Sequence, residues 1–330
     1  MPLPRLLVLS LGGTITMTAD GGGGGITPTL GAAELVAAVP GLGAVAEIEA
    51  RSPFRVGSSS LSIANILDVA ADIRAAFAGG IDGAVVIQGT DTIEETAFIL
   101  DLVLRDERPV VVVGAMRGPQ QPGADGPANL LAAALVAASP QARGLGTLVV
   151  LNDEIHAARF VRKAHTSLTS AFVSDNAGRL GVVAEGRPRV LARVAPVELP
   201  PLGASGDDVP PVALIKIGMG DDGRLIRAVP GLGYAGLVIE GAGAGHVPAT
   251  VAEILGEVAM RLPVVLASRT LAGPVFERTY GYPGSEIDLI GRGALPGGFL
   301  TGTKARLLLA LALRAGWDRA AIGAALAAFG

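Results

Sequence analysis

The chain has no cysteine and only three histidines among its 330 residues. The first absence excludes disulfides, thiolate metal ligands and a cysteine nucleophile. The second leaves His156, His165 and His246 as the sole imidazoles, with no His-Glu-x-x-His or similar ligand spacing. Neither a metal site nor a cofactor is expected. Aromatic residues make up 4% of the sequence against 50% hydrophobic residues, so the core must be aliphatic. Lysine is scarce as well: only Lys163, Lys216 and Lys304 occur, and arginine supplies the rest of the 26 basic residues. With a formal charge of −4 and no basic stripe, the composition argues against a nucleic-acid partner. No uncharged apolar span reaches 18 residues, so no membrane-spanning helix is expected. The short apolar run in "MPLPRLLVLSLGGTIT" leads into Gly12-Gly13-Thr14 and not into a small-residue cleavage site. A cytoplasmic location is the expectation.

What is present is an alternation. Apolar runs at 6–10, 84–88, 109–113 and 147–151 read as buried strands, with helical periodicity at 64–77, 92–104 and 127–138. That order predicts a mainly parallel sheet flanked by helices. From 178 to 211 the pattern dissolves, and "APVELPPLGASGDDVPP" reads as a linker. A second series follows, with strands at 212–216, 236–240 and 263–267 and helices at 249–260 and 303–315. The expected fold class is α/β in two domains. A larger N-terminal catalytic domain spans 1–190, a linker 191–211 and a smaller C-terminal α/β domain 212–330. "GLGYAG" at 231–236 matches a dinucleotide fingerprint in letters, but it precedes a strand where the motif must follow one. No nicotinamide site is expected there.

Two hydroxyls and a carboxylate stand together in "VVIQGTDTIEETAF", where a strand turns into a helix. Asp91 or Thr92 followed three residues on by Glu94 or Glu95 is a helix-start signature, and capping accounts for one of the three. It does not account for Thr90, Asp91 and Thr92 together at the carboxyl end of a strand, the edge where ligands bind in open α/β sheets. Two further strand ends are alike: "LVLSLGGTIT", with Thr14, and "VVVVGAMRG", with Ala115. Lys163 in "RFVRKAHTS" stands in a chain where arginine is the usual cation. A lysine there suits proton transfer, because guanidinium does not deprotonate. A threonine nucleophile needs a base and donors for an oxyanion, and converging strand-end turns supply both. On the residues alone, Thr14 and Thr90 are both open as the first attacker, and capping or a tight turn is the plain alternative for each.

Taken together, "LGGTIT", "QGTDTIEETAF", "VGAMR", "ADGPANL", "LNDEIHAARFVRKAHTS" and "GTKARLLLALAL" resemble the bacterial two-domain L-asparaginases of the asparaginase/glutaminase family. The similarity runs in the family's order through almost the whole chain. It implies Thr14 as the nucleophile on the side-chain amide of asparagine, with Thr90, Asp91 and Lys163 polarising the site and moving protons. An acyl-enzyme ester would release ammonia and then, with water, aspartate. The resemblance further implies the Thr90 N–H as an oxyanion donor, the Ala115 carbonyl on the leaving amide, Asp91 on the substrate ammonium and Ser58 on its α-carboxylate. Glu286 in "GYPGSEIDL" matches an acidic residue that reaches into a neighbouring subunit's pocket, so a homotetramer built from close dimers is implied.

The sequence also departs from that pattern. Ser59 stands where glutamine often follows the serine, His246 where a neighbour-subunit loop often carries asparagine, and Gly123 where serine often precedes Ala-Asp-Gly. No tyrosine lies between Thr14 and Leu35, where the active-site lid usually offers one; within "MTADGGGGGITPTL" the hydroxyls of Thr18, Thr27 and Thr29 and the carboxylate of Asp20 are the only polar side-chain groups. Tyr280 or Tyr282, just before Glu286, is expected to supply the phenol instead. These changes touch the substrate shell, so amidohydrolysis is implied more firmly than a choice of asparagine over glutamine. An ammonia-releasing amidotransferase subunit is a second reading, disfavoured because the chain opens directly at its first strand. A non-catalytic amino-acid-binding module is a third.

Overall fold

The computed structural model describes residues 2–19, 26–28, 30–202 and 208–330. The chain divides into two units, Met1–Pro196 and Val197–Gly330. The expected linker at 191–211 straddles that division, and 203–207 within it lie outside the described residues.

The first unit is organised on an eight-stranded sheet. From one edge the order is Arg187–Val190, Gly181–Ala184, Glu154–Ala157, Thr147–Leu151, Val110–Val113, Gly83–Ile87, Arg5–Ser10 and Glu47–Arg51. The last five are mutually parallel. Gly83–Ile87, Val110–Val113 and Thr147–Leu151 are buried at every residue. Near-continuous apolar runs are what a parallel sheet covered on both faces requires. The helices Ile63–Ala78, Ile93–Val103 and Gly126–Ala137 follow the expected positions closely. The first is opened by Ser62, whose Oγ accepts the Asn65 N–H at 3.1 Å while Asn65 Oδ1 accepts the Ser62 N–H at 3.0 Å. Such a reciprocal cap contributes about 1 kcal/mol. Leu6, Val85, Val111 and Leu148 from the sheet and Leu130 and Ala133 from Gly126–Ala137 share one aliphatic core.

The remaining three strands pair antiparallel, so the sheet is mixed. Two tight turns cause this. Asn152 and Asp153 have φ of 54° and 59°, and Glu185 and Gly186 have φ of 52° and 67°. Paired left-handed residues make the hairpin turn whose twist suits adjacent strands. The hairpin in "GVVAEGRPRV" went unread because no residue after Gly181 in it is fully buried. The edge strand Glu47–Arg51 (EIEAR) escaped for the same reason.

The second unit carries a parallel sheet ordered Val212–Lys216, Gly236–Gly241, Val264–Ser268 and Leu295–Pro296. The helices Ala249–Ala259 and Gly302–Arg314 match the expected pair, and Glu286–Gly291 and Arg319–Ala327 add to them. Leu237, Ile239, Leu255 and Leu266 form its core. The fold class is thus the two-domain α/β architecture expected. Among the described residues no helix is long and apolar enough to cross a membrane.

Candidate active site

The strand Gly83–Ile87 ends at buried Gln88; extended Gly89 follows, then the single 3-10 turn Thr90–Thr92 and the helix Ile93–Val103. Thr92 occupies the cap position but makes no side-chain cap bond. Its hydroxyl instead donates to the Ser58 carbonyl at 3.0 Å and accepts from Gln88 Nε2 at 3.2 Å. The chain Gln88–Thr92–Ser58 therefore ties the 58–60 turn to the end of the central strand. Helix capping does not explain these hydroxyls.

The Gly12-Gly13 turn lies against the same place. Both glycines have positive φ, 108° and 93°. A Cβ on Gly13 would run into the Gly89 backbone, and one on Gly12 into the backbone of Val56. A Cβ on Gly89 would in turn lie 2.8 Å from Ser58 Oγ. Three strand-end turns thus meet backbone to backbone, which only glycine permits. Thr14 opens the 3-10 turn Thr14–Thr16 at this junction, held by the Thr16 N–H to the Gly13 carbonyl at 2.9 Å. The Thr14 side chain lies outside the described part of the structure, as do the side chains of Thr18, Asp20, Thr27 and Thr29.

Lys163 comes from a segment 73 residues beyond Thr90 in the chain. It sits on the two-residue strand Arg162–Lys163, paired with Phe172–Val173. Its backbone N–H donates to Glu94 Oε2 at 3.1 Å, which anchors the strand to the first turn of the helix Ile93–Val103. Nζ donates to Thr90 Oγ1 at 2.8 Å and to Asp91 Oδ1 at 2.6 Å. Thr90 is 6% exposed. The Lys163 side chain is 15% exposed and that of Asp91 70%. A shielded hydroxyl and ammonium therefore sit beside a carboxylate open to solvent. This arrangement can move a proton at Thr90 while Asp91 offers a free edge to a second cation.

The remaining first-unit residues surround that cluster. Ser58 is buried and Ser59 exposed. Ala115 is buried, in a loop held by Asp125, whose Oδ2 accepts the Met116 N–H at 3.0 Å and whose Oδ1 accepts the Arg117 N–H at 2.9 Å. Asn129 Nδ2 donates to the Gly114 carbonyl at 3.0 Å and to Asp125 Oδ2 at 3.1 Å. Among the described residues no acceptor meets the Thr90 N–H and no donor meets the Ala115 carbonyl. Gln88, Asp125 and Asn129 are the residues that sequence reasoning did not single out, and Thr92 was singled out without its bond to Ser58. The quoted "ADGPANL" contained two of them, and their fixed offset of four was the available signal.

Glu286, His246, Tyr280 and Tyr282 form a separate cluster in the second unit. Glu286 is the first residue of the helix Glu286–Gly291 and is 0% exposed. Its Oε1 accepts the N–H groups of Thr279 at 2.9 Å and Tyr280 at 2.6 Å. Its Oε2 lies 3.0 Å from His246 Nε2. Burial acts to raise the Glu286 pKa, but the N–H groups of Tyr280, Glu286 and Thr279 and the His246 ring hold it below the ordinary carboxylate value. Within this chain Oε1 is engaged by Glu286's own loop and Oε2 by His246. The outward groups are Tyr280 and Tyr282, both exposed, with Tyr282 Oη 2.9 Å from His246 Nδ1.

The other imidazoles lie elsewhere. His165 Nδ1 accepts the Ser167 and Leu168 N–H groups in an exposed turn. His156 is buried with Nδ1 2.9 Å from Ser174 Oγ. Among the described residues no three His, Asp or Glu side chains gather in a metal-binding group.

Comparison with known proteins adds two family matches. Residues 5–195 match "Asparaginase, N-terminal", and residues 211–326 match "Glutaminase/Asparaginase C-terminal domain". A probable L-asparaginase of Deinococcus radiodurans is 39% identical over 96% of this chain and 95% of its own length. An L-asparaginase of Bacillus licheniformis is 36% identical over 81% of this chain and 82% of its own. The crystal structure of a probable cytoplasmic L-asparaginase from Campylobacter jejuni superposes with a TM-score of 0.86 at 32% identity, covering 98% of this chain and 99% of that one.

Proposed function

Because this chain belongs to the asparaginase family, we propose that it hydrolyses the side-chain amide of L-asparagine to L-aspartate and ammonia. The observation that carries this reading is Lys163 Nζ within hydrogen-bond reach of both Thr90 Oγ1 and Asp91 Oδ1, at 2.8 and 2.6 Å. A lysine so placed can return a proton to a departing amine, which an arginine cannot.

In the proposed sequence the Thr14 hydroxyl attacks the amide carbon. The oxyanion takes the Thr90 N–H, a donor that nothing described in the chain consumes. The carbon–nitrogen bond breaks, and ammonia leaves carrying the proton that the Thr14 hydroxyl released on attack. Water, deprotonated at Thr90 beside Lys163, then cleaves the ester to aspartate. The Ala115 carbonyl accepts from the leaving amide, Asp91 accepts from the substrate ammonium, and Ser58 with Ser59 receives the α-carboxylate. Asp125 and Asn129 position the Ala115 loop, and Gln88 and Thr92 position Ser58. Catalysis is assigned to the N-terminal domain. The second unit of a neighbouring chain completes each site, in a homotetramer of close dimers. The proposed location is the cytoplasm, where the name of the Campylobacter jejuni protein places that relative.

The test is ammonia release from L-asparagine, L-glutamine, D-asparagine and L-aspartate by the purified chain. Release from asparagine, with none from aspartate, is expected. No release from any of the amides would leave a binding module or a partner-dependent amidotransferase subunit as the better reading.

A further inference from the structure

Lys163 stands on a ribbon too short to hold itself. Its strand Arg162–Lys163 and the facing strand Phe172–Val173 have two residues each, with Phe172 opposite Lys163 and Val173 opposite Arg162. Even a two-stranded ribbon of ordinary length is marginal on its own in water. Side-chain ties must therefore help to set where Lys163 Nζ stands beside Thr90 and Asp91. Two of them act on the lysine's arm. Glu94 Oε2 accepts the Lys163 N–H at 3.1 Å, and Arg162 Nε donates to Asp175 Oδ2 at 2.7 Å. The second of these only closes the ribbon on itself. In the facing arm, 172–174, the polar side chain is Ser174, and its Oγ lies 2.9 Å from Nδ1 of His156 on the eight-stranded sheet.

Strand alternation brings His156 to this place. In Glu154–Ala157 (EIHA), Ile155 and Ala157 enter the aliphatic core with Leu148 and Leu180, so Glu154 and His156 share the opposite face. His156 is buried and stands in register with Val149 of the neighbouring strand, well inside the sheet. Its Nε2 lies 3.4 Å from Glu154 Oε2 without an aligned hydrogen bond, and Glu154 Oε1 receives Arg179 Nη1 at 2.5 Å. Burial holds the imidazole pKa below its ordinary value, so the ring is neutral at pH 7. In a neutral ring one nitrogen carries the proton, and the facing carboxylate favours Nε2. Nδ1 is then a bare acceptor, and the Ser174 hydroxyl is its donor.

We propose that His156 is a positioning residue for Lys163, acting through Ser174 on the ribbon that carries the lysine. The proposal rests on the asparaginase reading above and deepens it. From His156 Nδ1 the path runs to Ser174 Oγ, along Phe172–Val173 and across to Arg162–Lys163. It ends at Nζ, 2.8 Å from Thr90 Oγ1 and 2.6 Å from Asp91 Oδ1. No proton moves along it. Its effect is mechanical: a ring fixed in the sheet holds the free arm of a short ribbon, and the ribbon holds the ammonium. A misplacement of about 1 Å at a reacting group can cost about a hundredfold in rate. Slack in this tie should therefore appear in turnover, while the groups that receive the substrate stay where they are.

Turnover on asparagine and the lysine side-chain carbon signals of the labelled protein test this together. With only Lys163, Lys216 and Lys304 in the chain, Lys163→Met assigns the signal of interest. Ser174→Ala, which removes one hydroxyl, should lose at least about tenfold in kcat with KM changed by no more than about twofold. His156→Phe, which keeps a ring without its nitrogens, should do the same. Both should move the Lys163 signal and leave those of Lys216 and Lys304 in place. The double variant should be no slower than the slower single one, because the two residues act as a unit. His156→Asn, which sets an acceptor near the position of Nδ1, should recover most of the rate. Should His156→Phe fail to fold, Ser174→Ala carries the test alone. Full kcat in Ser174→Ala, a lowered rate with an unmoved Lys163 signal, or losses that multiply in the double variant would each overturn the proposal. An inactive wild type whose Lys163 signal still moves in Ser174→Ala would instead defeat the asparaginase reading and leave the positioning role standing.

Discussion

The Thr90–Asp91–Lys163 cluster and the Tyr282–His246–Glu286 cluster solve one problem in opposite ways. In the first, the carboxylate is the exposed member and the ammonium and hydroxyl are shielded. In the second, the carboxylate is fully buried and the phenol is exposed. The first is assembled where a strand end, a 3-10 turn and a distant two-residue strand converge, so its geometry depends on the sheet. The second lies in one loop, 279–286, plus one histidine from the turn after Gly236–Gly241. A sheet-edge cluster is rigid and holds a proton carrier near fixed backbone donors. A loop cluster fixes its members through hydrogen bonds to a buried anchor, and it needs that anchor to stay ionised. The low Glu286 pKa and its two backbone donors secure this.

The comparison predicts unequal sensitivity. Thr90→Val or Thr14→Val removes a hydroxyl and keeps the shape. Each should lower kcat for asparagine at least about a thousandfold with the thermal transition retained. Activity above a few per cent in both variants would break the assignment of chemistry to the first cluster.

His246 is tied at both nitrogens and cannot swing aside. If it faces the substrate, room for one extra methylene is limited, and asparagine should be preferred over glutamine by about 10–200-fold in kcat/KM. Equal efficiency on the two amides would place His246 away from the substrate side chain.

Mixing impaired variants separates the two clusters by chain. When Thr90→Val and Glu286→Gln oligomers are dissociated and reassembled together, half the close pairs are mixed, and one site in each joins two intact clusters. About a quarter of wild-type activity should return above the residual rates of the two separate variants. If both clusters of a site came from the same chain, activity would stay at the mean of those residual rates.

The smallest effect concerns His156, outside both clusters. Burial pushes its pKa below the ordinary imidazole value, against the pull of Glu154. The unfolded chain then binds the proton more readily than the folded one. The stability that neutral His156 contributes is present above about pH 6.5 and is lost as pH falls toward the depressed folded value. Ser174, its partner, directly follows the strand Phe172–Val173 that pairs with Lys163. His156→Gln should flatten the fall in Tm between pH 7 and pH 5 by on the order of one to three degrees. An unchanged slope would mean that other groups dominate acid sensitivity.

Much of the first cluster was legible. Buried strands such as Val110–Val113 announce themselves by apolar runs, and threonines with a carboxylate after a strand mark its ligand-binding edge. Lys163 was visible because lysine is rare in this chain, although its 72-residue separation from Asp91 in sequence hid the pairing. The supporting residues were not legible. Gln88 and Thr92 look like strand and cap residues until Thr92 is seen to bond the Ser58 carbonyl instead of the helix end. Glu286 matches by resemblance an acidic residue that reaches into a neighbouring subunit's pocket; within this chain it is buried and accepts the Thr279 and Tyr280 N–H groups. Backbone donors such as the Tyr280 N–H carry no sequence signature, so a buried anchor and an exposed contact look identical in letters. The antiparallel hairpin of 181–190 was missed because a sheet edge needs no apolar run.

The central claim is that the first cluster performs amide hydrolysis by moving protons through Lys163. Its most direct test is the initial rate of ammonia release from L-asparagine by Lys163→Met against the wild type, at matched thermal stability. Methionine fills the space but carries no proton. The account predicts a rate at least about a hundredfold lower. A Lys163→Met enzyme within a few-fold of the wild type would contradict it.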